Sequence, residues 1–297
     1  FQKLFLILTT VSFLTFTSCK DDETPAVQDP TITDIVVREA NFSILEAAVV
    51  KAGLADALAS GSLTVFAPDN AAFQAAGISE ADINALSVAD LQNILRYHVV
   101  AAPVGSGAVP VSDTVSTLQG RPIYASRNGN GVFVNGIKVK QADVTARNGV
   151  IHVIENVLIP PTKTIAEIAS DNPEFSTLVS AVVKAGLLAA VSGPGKFTVF
   201  APTNDAFTTA GITDVNAVPQ ATLETVVKYH VLPTNVFASD LVNNATPETI
   251  QGGRLLVTLP PAAVKIDGSS EVASNIVTAN IIATNGVIHV IDRTLLP

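Results

Sequence analysis

The feature that most constrains this chain is a segment of thirteen residues that occurs twice. It reads NGVIHVIENVLIP from Asn148 to Pro160 and returns as NGVIHVIDRTLLP from Asn285 to Pro297. An Asn-Gly pair favours a turn with positive φ, and the apolar, β-branched run behind it predicts a buried strand. Any fold for this chain must therefore accommodate two copies of one unit, each with the same strand.

Each copy of the strand contains one histidine, His152 or His289, among apolar neighbours. A buried imidazole requires hydrogen-bond partners for its ring nitrogens. We therefore favour a core histidine that ties the strand to a neighbouring backbone group. The alternative is a histidine that binds a ligand.

The length of 297 residues is large for one compact domain and comfortable for two. Hydrophobic residues make up 48% of the chain, so each copy has enough apolar side chains for its own core. The 26 acidic residues outnumber the 17 Lys and Arg residues and give a net charge of −9. An acidic chain without basic clusters argues against a nucleic-acid partner.

The N-terminus predicts secretion, because residues 1–18 combine a lysine, an apolar core and small residues before the only cysteine, Cys19. Cys19 resembles the acylated cysteine of bacterial lipoproteins, with Phe16 where leucine is usual. Lys20-Asp21-Asp22-Glu23 resembles a tag for the outer face of the outer membrane, and the alternative is a solvated linker. The resemblance implies a lipid on Cys19, a tether over residues 19–30 and a surface-exposed outer-membrane lipoprotein; the alternative is the periplasmic face.

Two amphipathic helices are predicted in each copy. Apolar residues recur at helical spacing up to the shared run VKAGL, at residues 50–54 and 183–187, whose glycine favours a helix end. A second helix has apolar residues at positions i, i+3 and i+4 and a histidine at i+7. These residues are Leu91, Ile94, Leu95 and His98 in the first copy and Leu223, Val226, Val227 and His230 in the second.

Three ordered motifs occur in both copies. TVFAPDNAAF at residues 64–73 corresponds to TVFAPTNDAF at 198–207, and in each an apolar run ends at proline before Asp69 or Thr203 as a helix cap. RYHV and KYHV follow, and then NGVIHVI. Together these motifs resemble the fasciclin domain over residues 31–297.

Strand signals follow the helices, including a two-residue Asn-Gly hairpin within residues 132–139. This order predicts an α+β fold. The resemblance implies two tandem fasciclin domains, at residues 31–160 and 162–297, each a helix-flanked, wedge-shaped β-sandwich. The short, proline-rich junction at residues 160–163 predicts a semi-rigid connection.

No spacing typical of catalysis is present: the chain lacks G-x-S-x-G, H-E-x-x-H and G-x-G-x-x-G. Each copy has two histidines and no cysteine, whereas a structural zinc site requires four ligands. We predict no catalytic residue, no metal and no cofactor.

The resemblance implies two candidate binding features. The first is the Tyr-His pair, Tyr97-His98 and Tyr229-His230, which is associated with receptor adhesion in extracellular matrix members of the family. Helical spacing places both histidines on a buried stripe, which favours packing as the role of the pair.

The second feature is an Asp followed by a bulky aliphatic residue. It lies just before the strand that follows the Asn-Gly pair, called the NG strand below. The first copy has Asp143-Val144 and the second has Asn280-Ile281, so the acid is absent from the second copy. The alternative role is an Asx residue that shapes a turn. Because Asp143 lies in a polar stretch, we expect its side chain to reach solvent.

These observations predict a non-enzymatic module for cell-surface adhesion or matrix interaction, anchored by an N-terminal lipid. Its partner would be a surface or matrix protein, a polysaccharide or a second copy of the chain. The alternative is a periplasmic or surface-bound enzyme, or a lipoprotein that binds a small ligand or polysaccharide. A sizeable pocket with convergent polar side chains would favour that alternative.

Overall fold

The computed structural model describes residues 29–260, 263–266 and 273–297. Within them, a helical part is followed by a strand-rich part, and this order occurs twice. The α-helices of the first repeat are α1 Ile32–Arg38, α2 Ser43–Ala52, α3 Ala55–Ala59, α4 Asn70–Ala75, α5 Glu80–Ala85 and α6 Val88–Tyr97. Those of the second repeat are α7 Ile165–Asp171, α8 Ser176–Lys184, α9 Leu188–Ser192, α10 Asn204–Thr209 and α11 Gln220–Tyr229.

The strands repeat in the same way, and a short 3₁₀ helix follows the second strand of each repeat, at Ser106–Ala108 and Ala238–Asp240. The strands of the first repeat are β1 Leu63–Pro68, β2 Val99–Val100, β3 Ser112–Ser116, β4 Pro122–Asn128, β5 Gly131–Val134, β6 Ile137–Ala146 and β7 Gly149–Ile154. Those of the second are β8 Phe197–Pro202, β9 Val231–Leu232, β10 Leu255–Thr258, β11 Ala263–Ile266, β12 Ser274–Ala283 and β13 Gly286–Ile291.

Local sequence signals account for the helix ends. Helix α2 ends at Gly53, which adopts a φ of 65°, as the sequence predicts. Asp69 and Thr203 cap α4 and α10, as predicted. A short helix with a Thr-based capping box, α1 or α7, precedes the first predicted helix of each copy and was not expected from the sequence pattern.

The NG strand occupies the middle of the sheet, which confirms its predicted burial. In the first repeat the strand order is β2-β1-β7-β6-β5-β4-β3, and β7 is parallel to β1 and antiparallel to β6. In the second it is β9-β8-β13-β12-β11-β10. Strands β6 and β12 contain two register irregularities each, and such bulges bend a strand.

Two apolar layers enclose the NG strand of each repeat. In the first repeat, Ile151 and Val153 point toward the helices, while Ile154 points toward a second core that includes Ile123 and Val134 of β4 and β5. The sheet therefore folds over itself as a sandwich with helices on one outer face. The second repeat has the corresponding pair of cores, so the predicted α+β fold is confirmed.

The glycine of each Asn-Gly pair is required by the parallel strand beside it. A Cβ atom on Gly149 would lie 1.9 Å from the carbonyl oxygen of Leu63, and one on Gly286 would lie 2.1 Å from that of Phe197. The asparagines bind the helical layer: Asn148 accepts the Ile32 N–H at 2.9 Å, and Asn285 accepts the Ile165 N–H at the same distance.

The two repeats touch directly as well as through their junction. Tyr124 stacks on Phe237 with ring centroids 4.9 Å apart. The Ser126 hydroxyl donates to Asp240 Oδ1 at 2.6 Å, and Asn128 Nδ2 donates to the Ser239 carbonyl at 2.7 Å. No helix among the described residues is both long enough and apolar enough to cross a membrane.

Candidate functional site

Asp143 and Asn280 occupy a bulge in the long strand that precedes each NG strand. Both have a left-handed backbone, with φ of 59° and 62°, at the second register irregularity of β6 and β12. Asp and Asn tolerate this conformation better than most residues. The bulge directs the side chain away from the regular alternation of the strand.

The histidine of each NG strand, His152 or His289, contacts the backbone of the bulge. His152 Nδ1 accepts the Asp143 N–H at 3.3 Å, and its Nε2 donates to the Val104 carbonyl at 2.8 Å. His289 makes the same two contacts with Asn280 and Val236, at 3.4 and 2.8 Å. Both rings are fully buried. The predicted role, a core imidazole tied to neighbouring backbone, is therefore confirmed.

The side chain of the bulge residue caps a short 3₁₀ helix. Asp143 Oδ1 accepts the Ser106 N–H at 2.7 Å, and its second oxygen accepts the Ser106 hydroxyl. Hydrogen bonds from the Ser106 hydroxyl and backbone lower the pKa of Asp143, so this carboxylate is ionised at neutral pH. In the second repeat, Asn280 Oδ1 accepts the Ala238 N–H at 2.9 Å.

The adjacent aliphatic residues of the motif face inward. Val144 and Ile281 are half-buried and pack against the helical core of their own repeat. The polar residue of the motif therefore lies on the outer side of the strand, while the apolar residue packs into the core.

The two copies of the motif differ in access. Asp143 is exposed, as expected from the sequence. Asn280 is half-buried and faces the first repeat, because a Cβ atom on Gly136 would lie only 2.7 Å from Asn280 Nδ2. The first repeat thus partly covers the motif of the second repeat, whereas the motif of the first repeat stays open to solvent.

The Tyr-His pairs are buried in both repeats, which confirms the predicted packing of the histidines. The exposed fractions are 1% for Tyr97, 3% for His98 and 2% for both Tyr229 and His230. The tyrosine hydroxyls donate to the Pro122 carbonyl at 3.3 Å and the Arg254 carbonyl at 2.6 Å. Burial raises the pKa of Tyr97.

Each helix histidine joins its helix to the segment that follows the NG strand. His98 Nδ1 donates to the Ile94 carbonyl, and its Nε2 accepts the Leu158 N–H, both at 2.9 Å. His230 makes the equivalent bonds to Val226 and Leu295, at 2.8 and 2.9 Å. Burial lowers the pKa of both histidines from 6.5 to about 4.

Ser106 holds the Asp143 carboxylate but is not among the site residues that the sequence predicts. Ser106 lies 37 residues before Asp143, and its counterpart Ala238 bonds through its backbone alone. No side-chain pattern shared by the repeats therefore marks this position. Cys19 and the predicted tag lie outside the described residues.

Among the described residues, clefts lie where the repeats meet, and two of them are large and open. The larger measures about 910 Å³ and its lining includes Lys138, Glu155, Lys163 and Asn280. The smaller measures about 620 Å³ and includes Arg127 and Asp240. Over the part of the chain that the structure describes, no three His, Cys, Asp or Glu side chains gather closely enough to hold a metal ion.

Comparisons with known proteins agree with this two-repeat architecture. The family model of the Fasciclin domain matches residues 40–160 and 173–297. Transforming growth factor-beta-induced protein ig-h3 from Sus scrofa is 31% identical over 244 residues, which is 80% of this chain and 35% of that protein. The chain thus spans about a third of that relative's length.

Two further similarities are to a Synechocystis protein and to a solved structure. Protein sll1483 from Synechocystis sp. is 37% identical over 149 residues, which cover 49% of this chain and 79% of that protein. Among solved structures, a FAS1 domain pair from the insect cell adhesion molecule fasciclin I aligns with 86% of this chain and 96% of its own, at 20% identity and a TM-score of 0.42.

Proposed function

The chain belongs to the fasciclin domain family, and from this membership we propose that it is a non-enzymatic adhesion or matrix-interaction module. Its functional units are residues 31–160 and 162–297. One observation carries the proposal: Asp143, the acidic residue of the family motif, is exposed, ionised and held in place by Ser106. A carboxylate fixed in this way loses little side-chain entropy when a partner binds it.

The proposed contact is asymmetric, because at this motif the first repeat offers an open carboxylate and the second does not. Asn280 lacks the charge and faces Gly136 of the first repeat. The partner would be a surface or matrix protein, a polysaccharide or a second copy of this chain, and it would donate hydrogen bonds or a positive charge to Asp143.

The proposal includes membrane attachment through a lipid on Cys19, at the outer face of the outer membrane or, alternatively, at its periplasmic face. Firm attachment requires more than one acyl chain, since one chain gives an affinity of only about 10⁴ M⁻¹. Cys19→Ala should move the protein from the membrane fraction to the soluble fraction. Full retention of the variant in membranes would contradict the anchor.

The adhesion test uses the soluble fragment 29–297 on beads, with immobilised matrix proteins, polysaccharides and the fragment itself as targets. Asp143→Asn is the decisive variant, because Asn280 shows that an asparagine at this position still caps the 3₁₀ helix. We expect Asp143→Asn to keep the melting temperature and lose attachment. Asp143→Ala also removes the cap and should cost about 1 kcal/mol of stability.

The matched control is Asn280→Ala in the second repeat. It also removes a cap, so it should lower stability to a similar degree, but attachment should persist. If the Asp143→Asn fragment binds every target as the parent does, the carboxylate is not the contact.

The larger cleft supports a second candidate function, the binding of a small ligand or polysaccharide. Its volume of about 910 Å³ lies within the range of ligand sites, and its lining includes Lys138, Glu155 and Lys163. Binding of soluble oligosaccharides that is lost in Lys138→Ala and unaffected by Asp143→Asn would favour this function over adhesion through Asp143.

A further inference from the structure

The helical layer of the second repeat contains a small apolar pocket that is separate from the motif surface and from both clefts. It measures about 40 Å³ and lies between α7, α8, α9 and α11. Its lining is aliphatic apart from His230 and Ser170, and includes Ala169, Val182, Val191 and Val227. Ser170 is exposed, whereas Val182 and Val227 are buried.

The first repeat has larger side chains at three positions that correspond to the lining of this pocket. The two repeats align without gaps from α1 to α3, and again along α6 and α11 up to the Tyr-His pair. At three positions the second repeat has the smaller side chain: Ala169, Val191 and Val227 stand where the first repeat has Val36, Leu58 and Leu95. Val36 and Leu58 are core residues with 3% and 8% exposure, while Ala169 and Val191 are only half-buried.

The residues at the rim of the pocket are more apolar in the second repeat than in the first. Val179 replaces Glu46, which removes a charge, and Leu188 replaces Ala55 and is 41% exposed. Ala166 replaces Thr33, whose hydroxyl donates to the Ala55 carbonyl at 2.9 Å in the first repeat. Compared with the first repeat, the second therefore has less side-chain volume inside the pocket and one charge fewer at its mouth. It also lacks the hydrogen bond that ties the first helix to the third.

The pocket offers no hydrogen bond to a polar ligand or to water in its interior. Both ring nitrogens of His230 are bound to backbone groups. A buried water needs two to four polar partners, so an aliphatic cavity of this kind stays dry and accepts apolar groups. At about 10–15 Å³ for each water-sized group, 40 Å³ holds roughly three such groups.

We infer that this pocket binds the end of an unbranched alkyl chain carried by a small amphiphile. About three carbons enter between Ala169, Val191 and Val227, and the polar remainder leaves past Ser170 into water. Leu188 and Val179 at the rim contact the next part of the chain. The homologous region of the first repeat is filled by its own Val36, Leu58 and Leu95 and does not bind the chain.

The test is an NMR titration of the full chain with a series of 1-alkanols from ethanol to 1-hexanol, followed through valine and leucine methyl shifts. Affinity should rise about fourfold for each added methylene until the pocket is full. The shifts should occur at Val182, Val191 and Val227, while Val49 and Leu58 of the first repeat should stay unchanged.

Two variants serve as matched controls, since each introduces the residue that the other repeat has at that position. Ala169→Val fills the pocket and should weaken binding by roughly tenfold or more. Val36→Ala opens the first repeat and should produce new shifts at Val49 and Leu58. Titration of the parent without shifts specific to the second repeat, or an Ala169→Val variant that binds as the parent does, would overturn the inference.

Discussion

The four histidines of this chain are all buried, and each uses one ring nitrogen as a donor and the other as an acceptor. In His98 and His230 the donor is Nδ1, which bonds a carbonyl one helical turn earlier. In His152 and His289 the donor is Nε2. The acceptor nitrogen receives a backbone N–H in every case, so these contacts require neutral rings.

This arrangement predicts a loss of stability in mild acid. The pKa of His98 and His230 is about 4 in the folded chain, whereas the ordinary value for histidine is 6.5. Unfolding therefore takes up protons between these values, so the stabilisation is complete above pH 6.5 and is lost as the pH falls toward 4. We expect roughly 2 kcal/mol of destabilisation from each histidine at pH 5, measured by urea unfolding followed by circular dichroism.

A double variant separates this effect from the titration of carboxylates. His98→Gln with His230→Gln should be less stable than the parent at pH 7 but should lose much less stability between pH 7 and 5. An unchanged pH dependence in the double variant would show that other groups cause it.

At the scale of single elements, the NG strand specifies its own neighbours. Its glycine permits parallel pairing with β1 or β8, because any side chain there would collide with the carbonyl of Leu63 or Phe197. Its asparagine then binds the first helix of the repeat, and Asn148 also donates to the Leu58 carbonyl at 2.8 Å. Two adjacent residues thus join the sheet to the helical layer.

Replacing the glycine should therefore separate these layers. Gly149 has a φ of 150° and no room for a Cβ atom, so Gly149→Ala should cost on the order of 4 kcal/mol or more, or prevent folding of the first repeat. Gly129, in the turn between β4 and β5, has no atom within 4 Å of a built Cβ and provides the control. Thermal unfolding of Gly149→Ala at the same temperature as Gly129→Ala would contradict this account.

At the scale of the whole molecule, the contact between the repeats depends on residues that the two copies do not share. Val104 and Val236 occupy the same position, since each accepts the bond from the strand histidine. The next residue is Gly105 in the first repeat but Phe237 in the second, where it stacks on Tyr124 and is 2% exposed. The aromatic pair therefore depends on a residue that only the second repeat has at this position.

Phe237→Ala should uncouple the repeats. Removal of a buried phenylalanine costs about 3–5 kcal/mol, and here part of the loss falls on the contact between repeats rather than on either core. We expect a broader distance distribution between spin labels on the two repeats and separate unfolding transitions. Val242→Ala, at a side chain that is 64% exposed, should leave the distances unchanged. An equally narrow distribution in Phe237→Ala would show that the aromatic pair does not set the geometry between the repeats.

The sequence by itself determined the two copies, the buried NG strand, the capped helices and the burial of the histidines. Each of these depends on periodicity or on local bonds within a few residues, as in the caps at Asp69 and Thr203. Self-similarity supported these assignments, because the same motifs occur in the same order in both copies.

Only the tertiary structure decided which copy of the acidic motif stays open and what holds it. Ser106 binds Asp143 across 37 residues, and Ser126 binds Asp240 across 114, so no local pattern relates these partners. The covering of Asn280 by the first repeat and the pocket beside Ala169 have the same origin. Both arise from how side chains from distant segments fill the space between packed elements, and that space exists only once the chain has folded.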